Sequence, residues 1–301
     1  MRVLALSPGS LALQLDRLPA LVSLCEQVGA TLQVACAPVC RGAWELIPQV
    51  EKILPFDFET APTLADWANL LGCVREPEFQ VCLNFAEGQQ VNLMLSMSHI
   101  PTRIAGSGFS SSEIVSCGEG WCAQRLASFL KPLGCDLDAD RFRLALSSKD
   151  LDAARAEQPA GEGPMLLLAP AGSTGDWPEQ RWTSLPESIA QRLKGLRTLQ
   201  LSPGQPLNRR AAAVASSDVV LSSCPVTQRR AVYSGVPLVA LGAQPEDLPD
   251  RPEIRCLGNQ ADLRSLPDGE VLLCEKLYTT FLQPKSSAKM TVGFSETVIT
   301  F

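Results

Sequence analysis

Short apolar runs alternate with amphipathic helical stretches. The alternation restarts after a Pro/Gly/Ala-rich break, and the chain has 301 residues, more than the roughly 100–200 typical of one domain. Together these predict an α/β protein of two Rossmann-like domains facing a central cleft.

The elements follow in order. Residues 2–7 (RVLALS) read as a buried strand. Residues 10–28 place Leu11, Leu15, Leu18, Leu21, Val22 and Cys25 on one helical stripe, with Gly29 as the C-terminal cap. Strands are expected at 31–37, 53–58, 79–85 (FQVCLNF) and 102–105, and helices at 43–50, 64–73 and 89–97. A helix over 118–133 leads to 158–164 (QPAGEGP), the composition of a linker. The second half repeats the pattern, with strands at 165–169 (MLLLA), 196–201, 219–222 and 237–241 (PLVAL). Its helices are expected at 178–194, 208–215, 226–234 and 268–282. Apolar strands spaced by helices imply parallel sheets covered on both faces. The expected units are 1–157 and 164–283, followed by a tail, 284–301. The tail is either a flexible extension or a segment that adds to a sheet edge, here or in a partner.

Composition narrows the chemistry. With 32 acidic against 26 basic side chains, net charge −6, nonspecific attraction to nucleic acid is not expected. One histidine, His99, excludes metal sites built on several imidazoles. The 11 cysteines include no CxxC pair, which argues against zinc or iron–sulfur ligation. MRVLALSPGS reads as a strand entering a loop rather than a leader, and no run has the length of a membrane span. The cysteines are therefore expected as reduced, mostly buried thiols in a cytoplasmic protein, soluble or peripheral to a membrane.

Three stretches carry a resemblance: 1–21 (MRVLALSPGSLALQLDRLPAL), 169–182 (APAGSTGDWPEQRW) and 217–245 (SDVVLSSCPVTQRRAVYSGVPLVALGAQP). Between them lie 47–56 (IPQVEKILPF) and 98–106 (SHIPTRIAG). In this order the chain resembles glycosyltransferase family 9, the heptosyltransferases of the lipopolysaccharide core, over roughly residues 1–283. The resemblance implies a GT-B fold with an acceptor-side N-terminal domain and a nucleotide-sugar side in the C-terminal one. It also implies inverting transfer without a metal or other cofactor, from a nucleotide-diphosphate sugar to a glycan or lipid-linked acceptor.

The residues that would carry this chemistry depart from the family pattern. The family's Gly-Asp pair falls on Ala12 and Leu13 when aligned on 18–21 (LPAL), and leucine takes no proton; Asp16, one turn later, is the substitute base. At the donor loop Gly172, Ser173 and Thr174 remain, whereas the usual lysine before Trp-Pro has given way to Gly175 and Asp176. A carboxylate there repels a diphosphate, and Arg181 is the residue that offsets it. In the last motif Cys224, Pro225, Val226 and Arg229 stand where the family has Asp, Ser/Thr, Gly and His. Ser222, Ser223, Thr227 and Arg229 are left as donor-side groups, with Arg230 beside them. Cys224 also sits where a helix N-terminus would activate a thiol. On the acceptor side the candidates are Arg41, Arg75 and Arg103, of which Arg103, beside His99, is preferred. Two readings stay open: a family-9-like transferase with an altered site, or a non-catalytic relative that binds a ligand or assembles a protein partner through 284–301.

Overall fold

The computed structural model describes residues 1–201 and 204–274. It is an α/β protein with two parallel sheets. The first is built from β1 (Arg2–Leu6), β2 (Thr31–Cys36), β3 (Val50–Pro55), β4 (Val81–Asn84), β5 (Thr102–Ala105) and β6 (Glu113–Ile114), in the order β3-β2-β1-β4-β5-β6. Its helices are α1 (Leu11–Val28), α2 (Arg41–Trp44), α3 (Leu64–Arg75) and α4 (Gln89–Ser96). A connecting region follows with α5 (Ala127–Leu130) and α6 (Ser148–Ala156). The second sheet comprises β7 (Met165–Ala169), β8 (Arg197–Gln200), β9 (Val219–Ser222), β10 (Leu238–Leu241) and β11 (Ile254–Leu257), in the order β11-β10-β9-β7-β8. It is covered by α7 (Glu179–Ala190), α8 (Leu207–Ala215), α9 (Pro225–Ser234) and α10 (Asp268–Leu272).

The central strands form for the expected reason. Val3, Leu4, Ala5 and Leu6 are fully buried, as are Leu166 and Leu167, because parallel strands carry helices on both faces. In each sheet the chain reverses direction of winding beside its first strand, opening a crevice at the strands' carboxyl ends.

Several elements differ from the sequence expectation. The helix expected at 43–50 is only α2, because Pro48 interrupts it and Val50 already pairs with Leu32. The helix expected over 118–133 is broken into 3-10 turns around α5, at Gln124–Leu126 and Lys131–Leu133. Gly118 turns back there so closely that a Cβ would lie 2.4 Å from the Arg125 carbonyl oxygen. Helix α6 and strands β6 and β11 were not expected, and α10 ends at Leu272 rather than 282. Residues 275–282 and the tail 284–301, with its edge-strand reading, lie outside the described residues.

The halves are packed together through α1 and α9. One apolar cluster runs from Leu15, Leu18 and Trp44 to Ala211, Val232 and Tyr233. The Tyr233 hydroxyl donates to the Leu15 carbonyl at 3.1 Å. Gly42 lies against Leu207 of α8; a Cβ there would meet Leu207 Cδ1 at 2.5 Å.

Candidate functional site

Helix α1 lies between the first sheet and α9, so even its polar residues Gln14, Asp16 and Arg17 are buried. Buried polar groups need partners, and each of these finds a different one. Gln14 fixes the first loop: its Nε2 donates to the carbonyls of Ser7, Pro8 and Gly9 at 2.9–3.1 Å. Its Oε1 accepts from Ser7 Oγ at 2.6 Å and Trp44 Nε1 at 3.1 Å. Sequence reasoning passed over Gln14; a polar residue inside the apolar stripe of a helix was the available signal.

Asp16 crosses to the other half. Arg229 donates to it twice, Nε to Oδ1 at 2.8 Å and Nη2 to Oδ2 at 3.1 Å. The side chains are 5% and 7% exposed. Asp247 stands 3.9 Å from Arg229 Nη2. Burial pushes the Asp16 carboxyl above the usual carboxylate range, against the pull of Arg229. Burial also opposes the charge of Arg229, but Asp16 holds its guanidinium above the ordinary value. Asp16 also borders the cavity that Arg17 lines, with both of its carboxylate oxygens accepting from Arg229.

Among the described residues no carboxylate is bonded to Arg17. Its Nη1 donates to Ser7 Oγ at 2.6 Å and to the Pro8 carbonyl, and its guanidinium carbon sits 4.7 Å over the Phe85 ring. Burial pushes it down to about 10, still protonated at neutral pH. It lines a cavity of about 280 Å³ with Leu13, Asn84, Glu87, Arg125 and Phe129. Asn84 Nδ2 is buried without a partner among the described residues. Leu13, which the sequence resemblance aligns with the family carboxylate, is 46% exposed on this wall.

On the other side a cleft of about 510 Å³ is lined by Gly172, Ser173, Thr174, Asp176, Trp182 and Arg264, among others. Gly172 takes φ +69°, a left-handed turn that favours glycine. The Asp176 carboxylate accepts from the amides of Gly172 at 2.8 Å and Trp177 at 2.7 Å. It thus satisfies N–H groups that a loop of this kind offers to a phosphate. Arg264 donates to the Thr174 carbonyl.

The remaining candidates are dispersed. Arg181 pairs with Asp268 at 3.0 Å and donates to the Leu266 carbonyl, on the helix side rather than at the loop. Ser222 Oγ donates to the Ala169 carbonyl at 2.9 Å and accepts from the Cys224 amide at 3.0 Å, while Ser223 Oγ accepts from Ala171 at 2.9 Å. Thr227 Oγ1 has no partner among the described residues. Arg103 donates to the carbonyls of Ser110 and Ile100. Arg75 meets His99 at 2.5 Å, and Arg41 pairs with Glu45.

This arrangement of two parallel sheets with covering helices is shared with solved proteins. The chain has the GT-B fold of the family 9 glycosyltransferases. A family 9 glycosyltransferase from Veillonella parvula superposes with TM-score 0.72 at 12% identity, covering 92% of this chain and 96% of that one. The ADP-heptose lipopolysaccharide heptosyltransferase II of E. coli gives 0.73 at 15%, covering 94% and 99%. The E. coli heptosyltransferase WaaC with ADP gives 0.64 at 14%, covering 90% and 98%. No protein-family model and no curated protein matches by sequence. At these identities the likeness is one of fold. Among the described residues no cluster of His, Cys, Asp or Glu suits a metal ion, and no helix is long and apolar enough to cross a membrane.

Proposed function

We propose that this GT-B-fold chain binds an anionic sugar or glycan in its cleft without performing the family's transfer. The acceptor-side unit is 1–157 and the donor-side unit 164–283. The observation that carries the reading is the fate of the carboxylates. Leu13 occupies the wall where the resemblance asks for a base, and Asp16 is held by Arg229 as an interdomain strut. General-base catalysis needs a carboxylate free to take a proton from the reacting hydroxyl; Leu13 has none, and that of Asp16, although it borders the cavity, is engaged by Arg229 on both oxygens. Asp176 supports the same reading on the donor side, since it engages the loop amides itself.

The cavity at Arg17 retains the means to bind. A buried guanidinium, the Arg125 side chain, the unpartnered Asn84 amide and the Phe85 and Phe129 rings suit a ligand with an anionic group on a small sugar-like body. Thermal melting with sugar phosphates and acidic sugars tests this. A saturable upward shift that is lost in Arg17→Leu is expected; no shift with any of them contradicts it.

One observation favours a transferase instead. Glu87, exposed in the loop after β4, also lines this cavity and makes no ion pair among the described residues. Under that reading Glu87 is the base, and acceptor-dependent turnover abolished in Glu87→Gln would establish it.

A further inference from the structure

The Arg17 cavity continues past its own wall. Ala86 and Glu87 also line a second cavity, of about 360 Å³, together with Pro8, Phe58, Glu59 and Trp67. Pro8 joins the two again, since its carbonyl accepts from Arg17. They form one trough over the carboxyl ends of β1, β3 and β4, and its two ends differ in sign. At the first end the buried Arg17 and the unpartnered Asn84 Nδ2 await an anion or an acceptor oxygen. No lysine, arginine or histidine lines the second end. Its charges are Glu59 and Glu87, both exposed and neither in an ion pair among the described residues. Beside them stand the half-buried rings of Phe58 and Trp67, with centroids 6.1 Å apart and planes inclined at 65°. Phe56 packs against both rings at 4.7 Å and fixes the corner they make.

Unpaired carboxylates beside aromatic faces attract a cation twice over, by charge and by the negative face of each ring. The rings supply no ligand oxygens, and among the described residues no cluster of His, Cys, Asp or Glu suits a metal ion, so the cation that fits is an organic ammonium. The negative field of this loop is already felt nearby: after burial, Glu59 and Asp57 are what hold the Cys40 thiol above its ordinary value. The arginines that the family resemblance offers for an acceptor, Arg41, Arg75 and Arg103, do not line this end and would repel such a group. We propose that the trough takes a zwitterionic ligand, an amine-bearing sugar whose anionic group lies at Arg17 and whose ammonium is held by Glu59 and Glu87 against Trp67 and Phe58. The inference rests on the anion-binding reading given above and adds the amine to it. A free amine is thereby distinguished from an N-acetylated one, which brings no charge to the carboxylates and more bulk to the corner.

The test uses the full chain and follows thermal melting in titrations of glucose 6-phosphate, glucosamine 6-phosphate and N-acetylglucosamine 6-phosphate, at slightly acidic pH where the free amine carries its proton. The amine is expected to bind at least tenfold more tightly than glucose 6-phosphate, and the N-acetyl compound no more tightly. Glu59→Gln is expected to reduce that preference and Glu59→Gln/Glu87→Gln to abolish it, with the affinity for glucose 6-phosphate unchanged in Glu59→Gln. Glu59 is exposed and makes no ion pair among the described residues, so its substitution leaves the fold intact. Equal binding of the amine and its N-acetyl twin, or a preference kept in full by the double variant, overturns the inference while the anion-binding reading stands. Binding that survives Arg17→Leu, with an amine preference still lost in the double variant, keeps the amine subsite and removes the anion-binding reading. No response of the wild type to any of the three overturns both.

Discussion

Asp16 on α1 and Arg229 on α9, 213 residues apart, form a buried two-bonded pair with distances of 2.8 and 3.1 Å. The pair joins the two halves at the place where a family 9 resemblance predicts catalytic groups. It is flanked by the Tyr233–Leu15 hydrogen bond and by the apolar cluster that both halves share. The pair adds an ionic contact to the apolar packing that holds the halves together.

Removing one partner leaves the other charge buried and alone. Asp16→Leu or Arg229→Leu is expected to lower stability by about 3–5 kcal/mol. The combined Asp16→Leu/Arg229→Leu chain should recover most of that loss, because replacing both members with apolar residues is often close to neutral. Equilibrium denaturation of the four proteins of the cycle measures the coupling.

The donor loop makes a prediction of opposite sign. Asp176 presents negative charge to the cleft while occupying the amides of Gly172 and Trp177. Asp176→Asn removes the repulsion and is expected to bind ADP or pyrophosphate more tightly than the wild type by calorimetry. Affinity that falls instead would place Asp176 among the ligand's supports.

Thiol labelling separates the cysteines by packing. All eleven are unbridged; Cys73 and Cys117 are exposed, whereas Cys25, Cys36 and Cys82 are buried. Burial pushes Cys25 up to about 11 and Cys36 up to about 12. A maleimide at neutral pH should modify Cys73 and Cys117 in the native chain, and the three buried thiols only after unfolding. Peptide mass mapping reads both sets.

The same thiols set an alkaline limit. A thiol whose folded value is raised above the ordinary 9.0 keeps its proton in the fold and gives it up on unfolding. Its contribution is complete below pH 9 and is lost as pH climbs toward the folded value. Burial raises Cys122 to about 11 and holds Tyr233 well above its usual range, so both act in the same direction. Arg17, lowered by burial to about 10, opposes them only above that pH. Melting temperature should therefore fall between about pH 8.5 and 10, and Cys36→Ala should flatten the slope.

Much of the fold was legible because local pattern and burial agree. The runs at 3–6 and 165–169 are apolar throughout and lie inside the sheets, and Gly29 ends α1 in the left-handed turn its position suggested. The missed strands sit at sheet edges. Both residues of β6 are exposed, and β11 alternates too weakly to stand out. Helix α6 buries only Ala154, so no apolar stripe marks it, although Ser147 caps it. The site was less legible because its decisive contacts are long-range. Nothing near Asp16 announces Arg229, and the pair Arg229–Arg230 reads locally as a solvated charge run although both residues are buried. Leu13 borders the Arg17 cavity, and its exposure there, 46%, is unusual for an apolar residue on the stripe-bearing helix α1.

The measurement closest to the central claim is nucleoside-diphosphate release from ADP-, UDP- and GDP-sugars offered with glycan and lipid-linked acceptors. With Leu13 on the cavity wall and Asp16 bound to Arg229, release should match the protein-free blank for every pair. Acceptor-dependent release that disappears in Asp16→Asn or Glu87→Gln would contradict the account and make the chain a transferase.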